Sequence, residues 1–121
     1  MDNDLLDNLY RLVLSQTQDG IILSDAEGTI VFVNDSAEKI RNIKRESVLG
    51  HSMLDCHKDS SREKVTRAMD YLRQKKDGVL SRMVTDQANG KYYENVYSAV
   101  FDENEALQGI AVTSRDITER R

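Results

Sequence analysis

The chain has 121 residues, 39% of them hydrophobic, with 21 acidic and 17 basic side chains and a formal charge of −4; it suits one domain burying roughly two thirds of its extended-chain surface and leaves no room for two. No stretch approaches the ~20 apolar residues of a membrane-spanning helix, and Asp2, Asp4 and Asp7 stand where a secretory leader needs basic residues, so membrane contact is not expected. The basic residues (Lys44, Arg45, Arg62, Lys64, Arg67, Arg73, Lys75 and Lys76 among them) interleave with acids or lie on helix faces, which argues against nucleic-acid binding, and a lone cysteine, Cys56, rules out an internal disulfide and suits the cytoplasm.

The spacing predicts a first helix over Asp4 to Ser15, where Leu5, Leu9, Leu12 and Val13 fall on one face and Leu6 and Tyr10 widen the stripe. Such a face needs cover. A homodimer through Leu5, Leu6, Leu9, Leu12 and Val13 is expected, with packing on the chain's own domain as the alternative. Asp19-Gly20 ends this region. Ile21 to Ser24 and Thr29 to Val33 then read as two strands joined by Asp25-Ala26-Glu27-Gly28, a link in which Asp folds onto its own backbone and Gly accepts a positive φ. Asn34 or Asp35 can cap a short helix that carries Ala37 and Ile40 inward, and Glu46 to Leu49 forms another brief turn closed by Gly50.

Ser60 and Glu63 have capping-box spacing, and Val65, Ala68, Met69 and Leu72 occupy one helical face. This predicts a long interior helix between Ser60 and Lys76, its other face (Arg62, Lys64, Arg67, Asp70, Arg73 and Gln74) turned to solvent. After Asp77-Gly78 the pattern becomes one of strands: Val79 to Thr85, a tip at Asn89-Gly90, Lys91 to Phe101, an acidic loop Asp102 to Glu105, and Leu107 to Ser114. In the last strand Ile110, Val112 and Ser114 alternate with Gly109, Ala111 and Thr113. Asp116 and Thr118 can bond nearby backbone and stop it, and Glu119-Arg120-Arg121 would open a polar helix.

This order, with Asn34 followed by Asp35-Ser36-Ala37-Glu38, the Val48-Leu49-Gly50 turn, Gly109 seven residues before Asp116, and the exit Asp116-Ile117-Thr118, resembles a PAS sensory domain over residues 17–118. The resemblance implies an α+β fold: a five-stranded antiparallel sheet in order 2-1-5-4-3, with short helices and one longer helix closing one face over a pocket and the N-terminal helix covering the other. It implies a cap or dimerisation helix over residues 1–16 and the start of a linker to an output domain over 119–121. Asp116, Ile117 and Thr118 would carry the signal outward.

Ligand chemistry is less marked. Light-sensing flavin relatives carry Asn-Cys-Arg-Phe-Leu-Gln around their reactive cysteine; this chain has Leu54-Asp55-Cys56-His57-Lys58, and it lacks the tryptophan common in redox flavin relatives, so flavin is not expected. The passage Cys56 to Val65 is similar to one that holds a haem-ligating histidine in gas-sensing relatives, which makes His57 a candidate iron ligand. Neighbouring helical side chains point ~100° apart, so at most one of Cys56 and His57 faces a pocket, and capping or packing is the favoured role for His57, small-hydrophobe packing for Cys56. Zinc is disfavoured because only His51, Cys56 and His57 are on offer where a structural site wants four ligands. In the fourth strand Tyr93, Asn95 and Tyr97 share one face; with Ser114 from the neighbouring strand they would line a polar wall for a small polar or aromatic ligand, the plainer reading being a self-satisfied network or a bound water.

The favoured function is an input module that binds a small ligand or dimerises and regulates an output domain such as a histidine kinase, a diguanylate cyclase or phosphodiesterase, or a transcription regulator. A haem-based gas or redox sensor through His57 is the first alternative. A thiol-dependent enzyme through Cys56 and His57 is the second and the weaker, since adjacency supplies neither a positioned base nor an oxyanion site; the segment is not expected to be an enzyme.

Overall fold

The computed structural model describes residues 3–53, 59–74, 79–86 and 90–118, and for residues 3, 59–62, 64, 65, 73 and 79–86 the backbone alone. These form α1 (Asn3–Gln16), β1 (Gly20–Asp25), β2 (Ile30–Val33), α2 (Asp35–Arg41), α3 (Arg45–Val48), α4 (Asp59–Gln74), β3 (Val79–Asp86), β4 (Lys91–Phe101) and β5 (Leu107–Asp116). Every strand pairing is antiparallel and the order across the sheet is β2-β1-β5-β4-β3. The expected α+β architecture is therefore the observed one.

Local chemistry sets the turns. The Asp25 carboxylate accepts from the backbone N–H of Glu27 at 3.0 Å and of Thr29 at 2.9 Å, and Gly28 takes φ 91°, so the β1–β2 link closes as its sequence requires. Asp102 repeats the device between β4 and β5, accepting from the N–H groups of Asn104 and Ala106, both at 2.9 Å. Gly50, at φ 81°, ends the α3 turn. β5 runs two residues beyond the expected Ser114 because Glu94 and Tyr93 still pair with Arg115 and Asp116.

The core lies on one face of the sheet. Ile22, Ile30, Val33, Tyr97, Ile110 and Val112 meet Ala37 of α2, Met53, and Met69 and Leu72 of α4. Leu72 is fully buried, which stabilises the fold by about 1.5–3 kcal/mol. Arg67, Asp70 and Gln74 face solvent as expected. The side chains of Val65, Arg62, Lys64, Arg73 and Ser60 lie outside the described residues, as does the tip residue Asn89. Gly109 is a packing necessity: a Cβ there would sit 2.1 Å from the Ser24 carbonyl oxygen, so β1 and β5 approach as closely as they do only because that position has no side chain.

One expectation is corrected. The N-terminal helix was to cover the outer sheet face, but α1 packs principally on α2, and Leu5, Leu9, Leu12 and Val13 remain 52%, 47%, 44% and 64% exposed. Val31 and Val100 on the strands are exposed as well. The cause is a tether at the C-terminal end of α1. The Leu14 carbonyl accepts a 2.8 Å bond from the Asn34 amide and the Thr17 carbonyl a 2.7 Å bond from the Ser36 hydroxyl, which bind the helix to the start of α2.

Candidate functional site

The inner face of β4 and β5 brings together four of the residues singled out from sequence. Tyr93, Asn95, Tyr97 and Ser114 are all buried. Asn95 pairs directly with Ser114, and Ser114 in turn with Gly20 of β1, so these three form one row across the sheet. In the next row Tyr97, Val112 and Ile22 are apolar but for the Tyr97 hydroxyl. The face thus changes from hydrocarbon to polar within one step along β4. Gly20 adds no side chain, and a Cβ there would stand 3.0 Å from Cα of Ala37, so the first turn of α2 roofs that end of the row. On the other side, Arg82 of β3 is the backbone partner of Asn95.

The Asn95–Ser114 pair sets an amide and a hydroxyl side by side on a buried face. Asn95 is 9% and Ser114 1% exposed, so each side chain needs a hydrogen-bond partner other than bulk water. A buried amide or hydroxyl left without one costs about 1–3 kcal/mol, and most buried polar groups in folded proteins find a partner.

A second polar group, Asn34, is fully satisfied. Buried to 1% exposure, it accepts through Oδ1 from Ile21 N at 2.8 Å and Ala37 N at 2.9 Å and donates through Nδ2 to Leu14 O at 2.8 Å and Asp19 O at 3.0 Å. One side chain joins α1, β1 and the N-cap of α2. Sequence reading found the cap but not the other three bonds, because their partners are 13 to 20 residues away.

The exit is held by its own polar side chains. The Thr118 hydroxyl donates to Asp116 Oδ1 at 2.6 Å and accepts from Tyr92 N at 3.0 Å, Thr118 N donates to the same Asp116 oxygen at 3.0 Å, and Ile117 N donates to Tyr92 O at 2.8 Å. The bond from the Thr118 hydroxyl, then that from its N–H, hold the Asp116 carboxyl below the usual range. Asp116, Ile117 and Thr118 thus fasten the end of β5 to the start of β4. Beside them Arg115 reaches Asp19 at 3.1 Å, which ties β5 to the segment after α1.

At the far end of α2, Arg45 donates through Nη2 and Nε to Glu38 Oε1 at 2.7 and 3.2 Å and also to Asp35, while its backbone N–H meets Glu38 Oε2 at 2.8 Å. Those bonds, the side-chain ones first, hold the Glu38 carboxyl below its ordinary value. Arg41, at the last position of α2, has Nε and Nη2 shut off from solvent with no partner among the described residues; the sequence signal that could have found it is its place one turn after Ala37, on the inward face of the helix.

Cys56 and His57 lie outside the described residues, so the haem and thiol alternatives have no geometry here. Among the described residues no group of three or more His, Cys, Asp and Glu side chains is placed to hold a metal, and no helix is long and apolar enough to cross a membrane. Leu5, Leu6, Leu9, Leu12 and Val13 all sit on α1, away from the polar row.

No curated protein is detectably similar to the chain in sequence. Solved structures are. The C-terminal domain of a Streptococcus mutans protein aligns with TM-score 0.79 at 21% identity over 94% of this chain and 87% of that one. The PAS domain of Bordetella pertussis BvgS aligns with TM-score 0.74 at 21% identity over 98% and 90%, and a sensory box sensor histidine kinase from Vibrio cholerae with TM-score 0.66 at 17% identity over 95% and 94%. At such identities the likeness speaks for the fold. A family profile described as the PAS fold matches residues 14–121, nearly the whole chain, and with the strand order and the Asp116-Ile117-Thr118 exit this places the protein in the PAS family of sensory domains.

Proposed function

We propose that this domain is the input module of a signalling protein, reading a small polar or aromatic ligand on the inner sheet face through Asn95 and Ser114, with Tyr93 and Tyr97 beside them. The observation that carries the reading is the adjacent Asn95–Ser114 pair, an amide and a hydroxyl side by side on the buried inner face. A ligand that hydrogen-bonds both groups on this buried face gains affinity from those bonds.

Transmission follows from chain geometry. Ser114 is two residues before Asp116, and the exit is fastened across to Tyr92, the neighbour of Tyr93. A ligand that binds one β4–β5 arrangement better than another shifts the population of exit geometries by its difference in affinity. The response would pass through Asp116, Ile117 and Thr118 to an output domain, for which a histidine kinase, a cyclase or phosphodiesterase, or a transcription regulator are all suitable. The exposed apolar stripe of α1 supports a homodimer, which the Asn34 tether would link to the sheet.

Native mass spectrometry of protein purified without added cofactor, followed by a metabolite screen read by thermal shift, tests the proposal. The expected result is a retained or captured small molecule whose binding weakens at least tenfold in Asn95→Leu and Ser114→Ala. Ligand binding that both variants leave unchanged would refute it.

A further inference from the structure

The Nε and Nη2 atoms of Arg41 are inaccessible to solvent and lack hydrogen-bond partners among the described residues. They are not two arbitrary donors. On a guanidinium they form one edge, two parallel N–H groups spaced to meet both oxygens of a carboxylate. Guanidinium groups keep their charge in proteins, so burial cannot be relieved by losing a proton. An edge of this kind left empty is costly, and a bidentate oxyanion is what its geometry accepts.

The position is also rigid. α2 is fixed at its start by Asn34, which caps Ala37 N, and at its end by Asn42, whose left-handed backbone (φ 54°) returns its N–H to the Glu38 carbonyl. Glu38 is itself tied to Arg45 by side chain and backbone. Ala37, one turn before Arg41, is core. A helix locked at both ends holds the donor edge in one place, so binding requires only that the cover over the edge yield.

We infer that Arg41 is the anchor of a binding site for a small monocarboxylate at the C-terminal end of α2. A monoanion fits better than a phosphate, because one guanidinium neutralises a single charge, while a dianion would leave excess negative charge buried in a chain that already carries −4. The inference goes beyond the proposed function and stands without it: it requires nothing of Asn95 or Ser114.

Scanning calorimetry of the 121-residue chain in sodium acetate and sodium benzoate, against sodium chloride and sodium phosphate at equal ionic strength, tests this, with titration calorimetry for affinity. Acetate and benzoate should raise the unfolding midpoint and phosphate should not. Arg41→Met should abolish the rise while stabilising the ligand-free chain, and Arg41→Lys, which keeps the charge but not the fork, should bind at least tenfold more weakly. Asn95→Leu should leave carboxylate binding intact, which separates this result from the fate of the proposed function. The inference falls if acetate gives no rise, if phosphate stabilises more than acetate, or if Arg41→Met responds like the parent. It also falls if Arg41→Met destabilises the ligand-free chain, since the donor edge would then already have an acceptor within the chain.

Discussion

Replacing Asn34 by alanine removes the one side chain that joins α1, β1 and α2. Four hydrogen bonds go: two accepted from Ile21 N and Ala37 N, two donated to Leu14 O and Asp19 O. Loss of the helix cap alone costs about 1 kcal/mol, and each of the other three bonds about 1 kcal/mol more. The expected loss is therefore about 4 kcal/mol, a large share of the 5–15 kcal/mol that holds a typical domain together. For a chain of 121 residues that corresponds to a fall in Tm of roughly 16 °C. Urea denaturation followed by circular dichroism measures it directly. Asn34→Asp refines the test, because it keeps the acceptor for Ile21 and Ala37 but sets a carboxylate oxygen against the Leu14 and Asp19 carbonyls. Hydrogen exchange in that variant should accelerate in α1 while the sheet stays protected. An alanine variant within about 1 kcal/mol of the parent, or an aspartate variant whose α1 exchanges no faster, would show that the tether is not what positions the helix.

Gly109→Ala should destabilise by about 1–3 kcal/mol or more, as expected of overpacking against an unyielding neighbour, because its methyl group would meet the Ser24 carbonyl oxygen; a variant as stable as the parent in chemical denaturation would contradict the close approach of β1 and β5. Asp116 supplies a pH dependence. Its folded pKa is depressed by the Thr118 hydroxyl and N–H, so its contribution to stability is present above the unfolded value near ~3.9 and is lost as pH falls through the lower folded one. Thr118→Val should move the Asp116 inflection upward in a carboxyl-detected NMR titration; an unmoved inflection would mean that the hydroxyl is not the cause. If α1 forms a dimer, Leu9→Asp with Val13→Asp should produce a monomer by light scattering without loss of sheet signal, since both side chains are exposed in the single chain; an unchanged mass would place any dimer contact elsewhere.

Much of the fold was legible because its signals are local. The Asp25 to Gly28 turn, the Asn34 cap, the alternation of Tyr93, Asn95 and Tyr97 and the stop at Asp116 each depend on residues a few positions apart, and each of these elements formed as its sequence requires. The expected sheet order came from resemblance and not from periodicity, since alternation fixes which side chains share a face but not which strands are neighbours. Of the candidate site, the inward face of β4 could be read in advance, but the closing of its polar row by Gly20 beneath the first turn of α2 could not. Satisfaction of a buried group depends on atoms brought near by folding.

The residues by themselves determined the elements, their turns, the polar character of the inner face and the apolar stripe on α1. Only the tertiary structure decided where that stripe goes, that Asn34 would bond partners on three elements, and that the Arg41 donor edge would be shut away from solvent. The division is physical. Backbone propensity and side-chain period act within a few residues, whereas burial and hydrogen-bond satisfaction are properties of surfaces that meet only once the chain has folded.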